Sequence, residues 1–149
     1  MSTANNQAMN TYRSVYAGAV TEDATPHGLV VLLFDAARIA VNDARAQMQL
    51  KEIAAKGVAI GKAVELIECG LKASLDLERG GQIAERLYSL YEYMVERLTL
   101  ANLKNEPAPL DEVGRLLAEI QAAWRQIGPQ AEEPHSDFRA PGGSSYAQA

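Results

Sequence analysis

Residues able to carry acid–base, metal or nucleophilic chemistry are few in this chain and badly placed for it. His27 and His135 are its only histidines. The first opens a predicted helix and the second lies in a proline-bearing tail, so no two imidazoles can clasp a metal and none sits mid-helix to carry a phosphoryl group. Glu132-Glu133-Pro134-His135 spells Glu-x-x-His, but the di-metal use of that spacing needs inward-facing carboxylates from four bundle helices. Cys69 is the only cysteine. It supports neither a disulfide framework nor a thiolate metal site, and the helical wheel puts it on the polar side of its helix. No Walker loop, dinucleotide fingerprint or nucleophile elbow is present. The reading is a protein that is not an enzyme, with no cofactor and no metal.

What remains is a positioning problem without a reaction, so the elements themselves must carry the function. The 149 residues are 48% hydrophobic and 22% charged, enough for one globular domain with a real core. A net charge of −5 with scattered Lys and Arg argues against a nucleic-acid or anionic-membrane surface, because those footprints are basic. The N-terminus has no basic segment leading into an apolar one, and no run of apolar residues is long enough to span a bilayer. This reads as a cytoplasmic protein with no membrane insertion.

Helical punctuation divides the chain. Residues 1–24 are an N-terminal arm, 25–128 the helical domain and 129–149 a disordered tail with three prolines and a Gly-Gly-Ser-Ser run. Thr25-Pro26 supplies an N-cap and a proline at the first helical position, predicting a helix over 26–48. A second helix is expected over 51–78, stopped by Gly80-Gly81, a third over 82–104 and a fourth over 109–127, stopped by Gly128-Pro129. No segment alternates like a strand. Long helices joined by short loops pack as antiparallel neighbours, so the expected fold is all-α, an up-down four-helix bundle with a short N-terminal helical cap.

Three of the four helices carry more apolar surface than one core needs. In the run Leu87 to Asn102, the residues Leu87, Leu90, Tyr91, Met94, Leu98 and Ala101 form a core stripe. Tyr88 and Val95 flank it on one edge, Tyr93 and Leu100 on the other, giving an apolar arc of roughly 240° where about 100° suffices. The second helix has a core stripe of Ile53, Gly57, Ile60, Val64, Ile67, Leu71 and Leu75. About a third of a turn away runs a furrow of mostly small residues, Ala59, Ala63, Leu66, Gly70, Ala73 and Leu77. The first helix is doubly apolar as well, through Leu29, Leu33, Ala36 and Ala40 and through Val30, Phe34, Ala37, Val41, Ala44 and Met48. The fourth has one compact face.

Inside a bundle each helix touches two neighbours, which can consume a wide arc. Surplus shared by three helices points instead to a partner groove, with a homodimer seam as the other use. Ala59, Ala63, Leu66, Gly70 and Leu77 with Tyr88, Tyr93 and Leu100 are the candidate groove residues. Tyr12, Tyr16 and Val20 recur every four residues in the N-terminal arm. They could form a short turn lying across such a groove, or a docked arm filling a core edge.

Four segments, ATPHGLVVLLFDAA (24–37), KGVAIGKAVELIECGLKASLD (56–76), LYSLYEYMVERLTLANLKN (87–105) and EVGRLLAEIQAAW (112–124), together resemble the flagellin-specific export chaperones, the FliS family. The specific elements are Ser74-Leu75-Asp76, Leu90-Tyr91-Glu92-Tyr93-Met94-Val95-Glu96-Arg97-Leu98, Ala101-Asn102 and Ala123-Trp124. Thr25 stands where the family usually has Ser, and Gly28 where a longer polar residue is expected. The resemblance implies a cytoplasmic helical bundle that binds the disordered C-terminal segment of flagellin and keeps it monomeric for the flagellar type III export apparatus. It also implies contact with an export-gate component, and an N-terminal segment, here Tyr12 and Tyr16, that occupies part of the groove before the client arrives.

Overall fold

The structure, a computed structural model, describes residues 2–15 and 25–128, and within them every regular element is helical. They are α1 (Ser2–Val15), α2 (Pro26–Gln49), α3 (Ile53–Glu65), which runs directly into a π-turn (Leu66–Leu71), α4 (Leu77–Lys104) and α5 (Pro107–Ile127). The predicted disordered tail over 129–149, Tyr16 and Val20 lie outside the described residues.

Local chemistry sets the ends of these helices. Thr25 caps α2, its hydroxyl accepting from the Gly28 N–H at 2.9 Å, with Pro26 in the first turn. The expected helix over 51–78 is shorter than its periodicity suggested. It ends in the π-turn at Leu71, and residues 72–74 form a turn. Asp76 then caps a new helix, its carboxylate accepting from the Arg79 N–H at 3.0 Å. The Gly80-Gly81 pair therefore lies inside α4, where Gly81, at φ 58°, kinks the helix instead of ending it. Asn105, left-handed at φ 56°, closes α4.

α2 packs on α3 and the π-turn, α3 on α4, α4 on α5, and α5 back on α2, so four helical segments close a ring with α1 outside it on the π-turn and α2. Pairs across the seams set the directions. His27 meets Trp124 and Arg45 meets Asp111, while Lys56 meets Asn105 and Lys72 meets Glu92. Both seams are antiparallel.

Ring closure uses most of the apolar surplus. On α2 all of Leu29, Leu33, Ala36 and Ala40 are buried, and so are Phe34, Ala37, Val41, Ala44 and Met48 on the other stripe, because the helix faces α3, the π-turn and α5 at once. On α4 the core stripe holds in Tyr91, Met94, Leu98 and Ala101, all buried. Ile53, expected in the core, is 56% exposed at the start of α3.

Candidate partner-binding surface

The small-residue stripe of the second helix is not a vacant furrow. Ala59, Ala63, Leu66 and Gly70 are all buried. A Cβ placed on Gly70 would stand 2.9 Å from Leu33 Cδ2, so the missing side chain is what lets α2 approach. Small residues do make close approach possible here, but the helix that uses it belongs to the ring itself. Leu77 leaves the stripe altogether, since it is the first residue of α4, where it is 46% exposed.

The remaining candidates sit on two edges of α4 that face different neighbours. Tyr88, half-buried, lies under Lys72, whose ammonium is 4.7 Å from the ring centroid and pairs with Glu68 at 3.1 Å and Glu92 at 3.5 Å. Tyr93 looks the other way, towards α5. Its hydroxyl donates to Glu112 Oε2 at 2.6 Å, while Arg97 Nε donates to Glu112 Oε1 at 2.6 Å. The Tyr93 hydroxyl bond, with the Arg97 bond and charge, holds the Glu112 carboxyl below the ordinary carboxylate value, and the same bond raises the Tyr93 phenol. Leu100 is half-buried. Tyr88 and Tyr93 therefore do not form one patch.

One end of the ring exposes further apolar side chains that the sequence reading placed in the core or passed over. Leu50, Ile53, Val58 and Leu103 are all more than half exposed. Beside them a Cβ placed on Gly57 would stand 3.9 Å from Asn102 Oδ1, and one on Gly61 would meet open space. Lys56, only 2% exposed, anchors this end. Its ammonium donates to the Asn102 carbonyl at 3.2 Å and Asn105 Oδ1 at 2.9 Å, at the C-terminus of α4 where the helix dipole favours a cation. The available signal was its place between the two apolar stripes of the helical wheel.

α1 is longer than the short turn expected from Tyr12, Tyr16 and Val20, because it is helical from Ser2. Ala8, Thr11 and Tyr12 are buried, a spacing of three and four that puts them on one face. The Thr11 hydroxyl donates to the Cys69 carbonyl at 3.1 Å and the Ser14 hydroxyl to Glu65 at 3.3 Å. Burial, with the nearby Asp35 charge, pushes the Tyr12 phenol up.

The α2–α5 seam is of another kind, with a polar centre that helical periodicity does not reveal. Gln121 is fully buried. Its amide nitrogen donates to Asp35 Oδ1 at 2.7 Å and the Val31 carbonyl at 3.2 Å, and its oxygen accepts from Arg38 at 2.7 Å. His27 and Trp124 stack at 5.1 Å between centroids. The Trp124 indole donates to the His27 carbonyl at 3.2 Å, and His27 Nε2 lies 3.0 Å from the Trp124 carbonyl. His27 is thus a structural clamp.

The described residues hold no group of three or more His, Cys, Asp or Glu that could hold a metal, and no helix long and apolar enough to cross a membrane. Their geometry defines a helical packing protein with one helix docked outside the ring. The family described as Flagellar protein FliS matches residues 8–131. The chain is 44% identical over 120 residues to the flagellar secretion chaperone FliS of Salmonella typhimurium, covering 80% of this chain and 89% of that protein. It is 43% identical over 121 residues to FliSB of Pseudomonas aeruginosa, covering 81% and 95%. A more distant relative, FliS of Bacillus subtilis, is 26% identical over 103 residues, covering 69% and 75%. With the family spanning nearly all of the described helices, the chain belongs to the FliS family, a family of chaperones and not of enzymes.

Proposed function

We propose that the chain is a cytoplasmic chaperone that holds the disordered C-terminal segment of flagellin, prevents its premature polymerisation and hands it to the flagellar type III export apparatus. The ring of antiparallel helices acts as an up-down four-helix bundle with α1 as its cap. The observation that carries this reading is α1 itself. A helix is seated on the outside of the ring, with Ala8 and Tyr12 buried and with Thr11 and Ser14 bonded to the helical segment beneath. A face that accepts one short amphipathic helix can accept another.

A disordered client suits a discontinuous surface, because it can wrap around the bundle. Tyr88 on one edge of α4, Tyr93 and Leu100 on the other, and exposed Leu77 are the proposed contacts, with Ile53 and Leu103 extending the surface. Ala59, Ala63, Leu66 and Gly70 act from inside by keeping α2 close. Wrapping of this kind buries on the order of 1,000–3,000 Å² and loses about 2–5 kcal/mol to ordering. Affinity therefore comes from area.

Co-purification with full-length flagellin and with flagellin lacking its C-terminal segment tests the reading. Capture of the first and not the second is expected. Equal capture of both would move the site off that segment. A stable homodimer that ignores both would favour a client-free self-associating bundle.

A further inference from the structure

A helical ladder that changes step leaves a carbonyl behind, and here a different helix supplies its donor. The Lys72 N–H donates to the Ile67 carbonyl at 2.8 Å, a step of five, and the Ser74 N–H to the Gly70 carbonyl at 3.1 Å, a step of four. Between these two bonds stand two acceptors, the carbonyls of Glu68 and Cys69, and one donor, the Ala73 N–H. The hydroxyl of Thr11 on α1 donates to the Cys69 carbonyl at 3.1 Å, and Thr11 is buried. A carbonyl screened from water and left without a donor costs about 1–3 kcal/mol. The docked α1 and the π-turn therefore stabilise each other.

We propose that Thr11 is a positioning residue that holds the π-turn in its five-step register, and that departure of α1 lets the turn relax to α-helical register, swinging Lys72 away from Tyr88 and Glu92. The change can stay local because the helix ends at once. The Ser74 hydroxyl already donates to the Leu71 carbonyl at 2.8 Å, and Asp76 starts α4 independently. A one-residue change of register turns a side chain by about 100°. That breaks the 4.7 Å placement of Lys72 over the Tyr88 ring and its 3.5 Å pair with Glu92. The berth of α1 and the Tyr88 edge of α4 are then coupled through one two-state element, a role in keeping with the frequent siting of π-turns at functional positions. The coupling is a property of the chain alone. Its use in client capture, uncovering Tyr88 as α1 leaves, rests on the chaperone reading above.

The test uses the full chain as Thr11→Val, which keeps the side-chain shape and removes the donor, and as Thr11→Ser, which keeps the donor. Amide exchange over residues 68–75 and the nuclear Overhauser contact between the Lys72 side chain and the Tyr88 ring are read for each. Thr11→Val is expected to speed that exchange about three- to tenfold and to weaken the contact, while Thr11→Ser matches the parent on both. Loosening confined to residues 2–15 in Thr11→Val, with both readouts at 68–75 and Tyr88 unchanged, overturns the proposal, as does Thr11→Ser behaving like Thr11→Val. No flagellin is present, so a negative result leaves the chaperone reading intact, and a failed co-purification leaves this result intact.

Discussion

The α2–α5 seam and the berth of α1 are both contacts between helices, yet they are built to different standards. The seam has a fully buried Gln121 bonded to Asp35, Arg38 and the Val31 carbonyl, a stacked His27 and Trp124, and a two-bond pair between Arg45 and Asp111. Removing Asp35 or Arg38 takes a partner from the buried Gln121 amide, which makes the seam costly to open. At the berth the Thr11 hydroxyl bonds a backbone carbonyl and the exposed Ser14 hydroxyl bonds Glu65, beside buried Ala8 and Tyr12. α1 is therefore expected to lift more easily than the seam opens. A chaperone needs both kinds of contact, a frame that persists and a face that can change occupant.

The largest expected effect breaks the frame. Gln121→Ala leaves a cavity and removes the buried amide's bonds to Asp35, Arg38 and the Val31 carbonyl, and should lower stability by about 3 kcal/mol in urea unfolding followed by the fluorescence of Trp124, the only tryptophan. Next comes the close approach of α2. Gly70→Ala sets a Cβ 2.9 Å from Leu33 Cδ2 and should cost about 1–3 kcal/mol, measured the same way. Thr11→Val sharpens the contrast from the other side. Global stability should fall by about 1 kcal/mol or less, while affinity for the flagellin C-terminal segment rises about two- to fivefold in calorimetry, because an internal competitor is weakened.

The smallest effect lies at the α4–α5 edge. Glu112 is held below the ordinary carboxylate value by Tyr93 and Arg97. A depressed carboxyl contributes stability that is full above its unfolded value and is lost as pH falls through its folded one. Glu112→Gln should therefore lower stability slightly near neutrality and flatten the acid limb of a stability profile taken from roughly pH 5 to pH 3, the two proteins converging as pH falls.

Capping and periodicity made most of the helices readable. Thr25-Pro26 and the prolines around Leu110 mark helix starts by chemistry that operates one turn at a time, and Tyr91, Met94 and Leu98 fall in the core where a period of 3.6 puts them. The break between Leu71 and Leu77 is hidden because Gly80-Gly81 reads as a helix stop, whereas the helix that Asp76 caps runs through both glycines. The π-turn was invisible because a wheel drawn at constant pitch cannot register an extra residue. That residue, with the glycine at position 70, is why the apolar stripes do not map simply onto inside and outside. Gln121 and Lys56 escaped because a polar letter on a helix reads as solvent-facing until its partners on distant helices are known. The edges of α4 were legible as apolar surplus, but their division between two neighbours depends on the order of helices around the ring.

Hydrogen exchange of the full chain, alone and with a saturating flagellin C-terminal peptide, tests the contrast most directly. The account requires the amides of α1 to lose protection when the peptide binds, while those of α2 and α5 flanking Gln121 and Trp124 keep theirs. A peptide that binds and leaves α1 as protected as before, or that opens the α2–α5 seam instead, would contradict it.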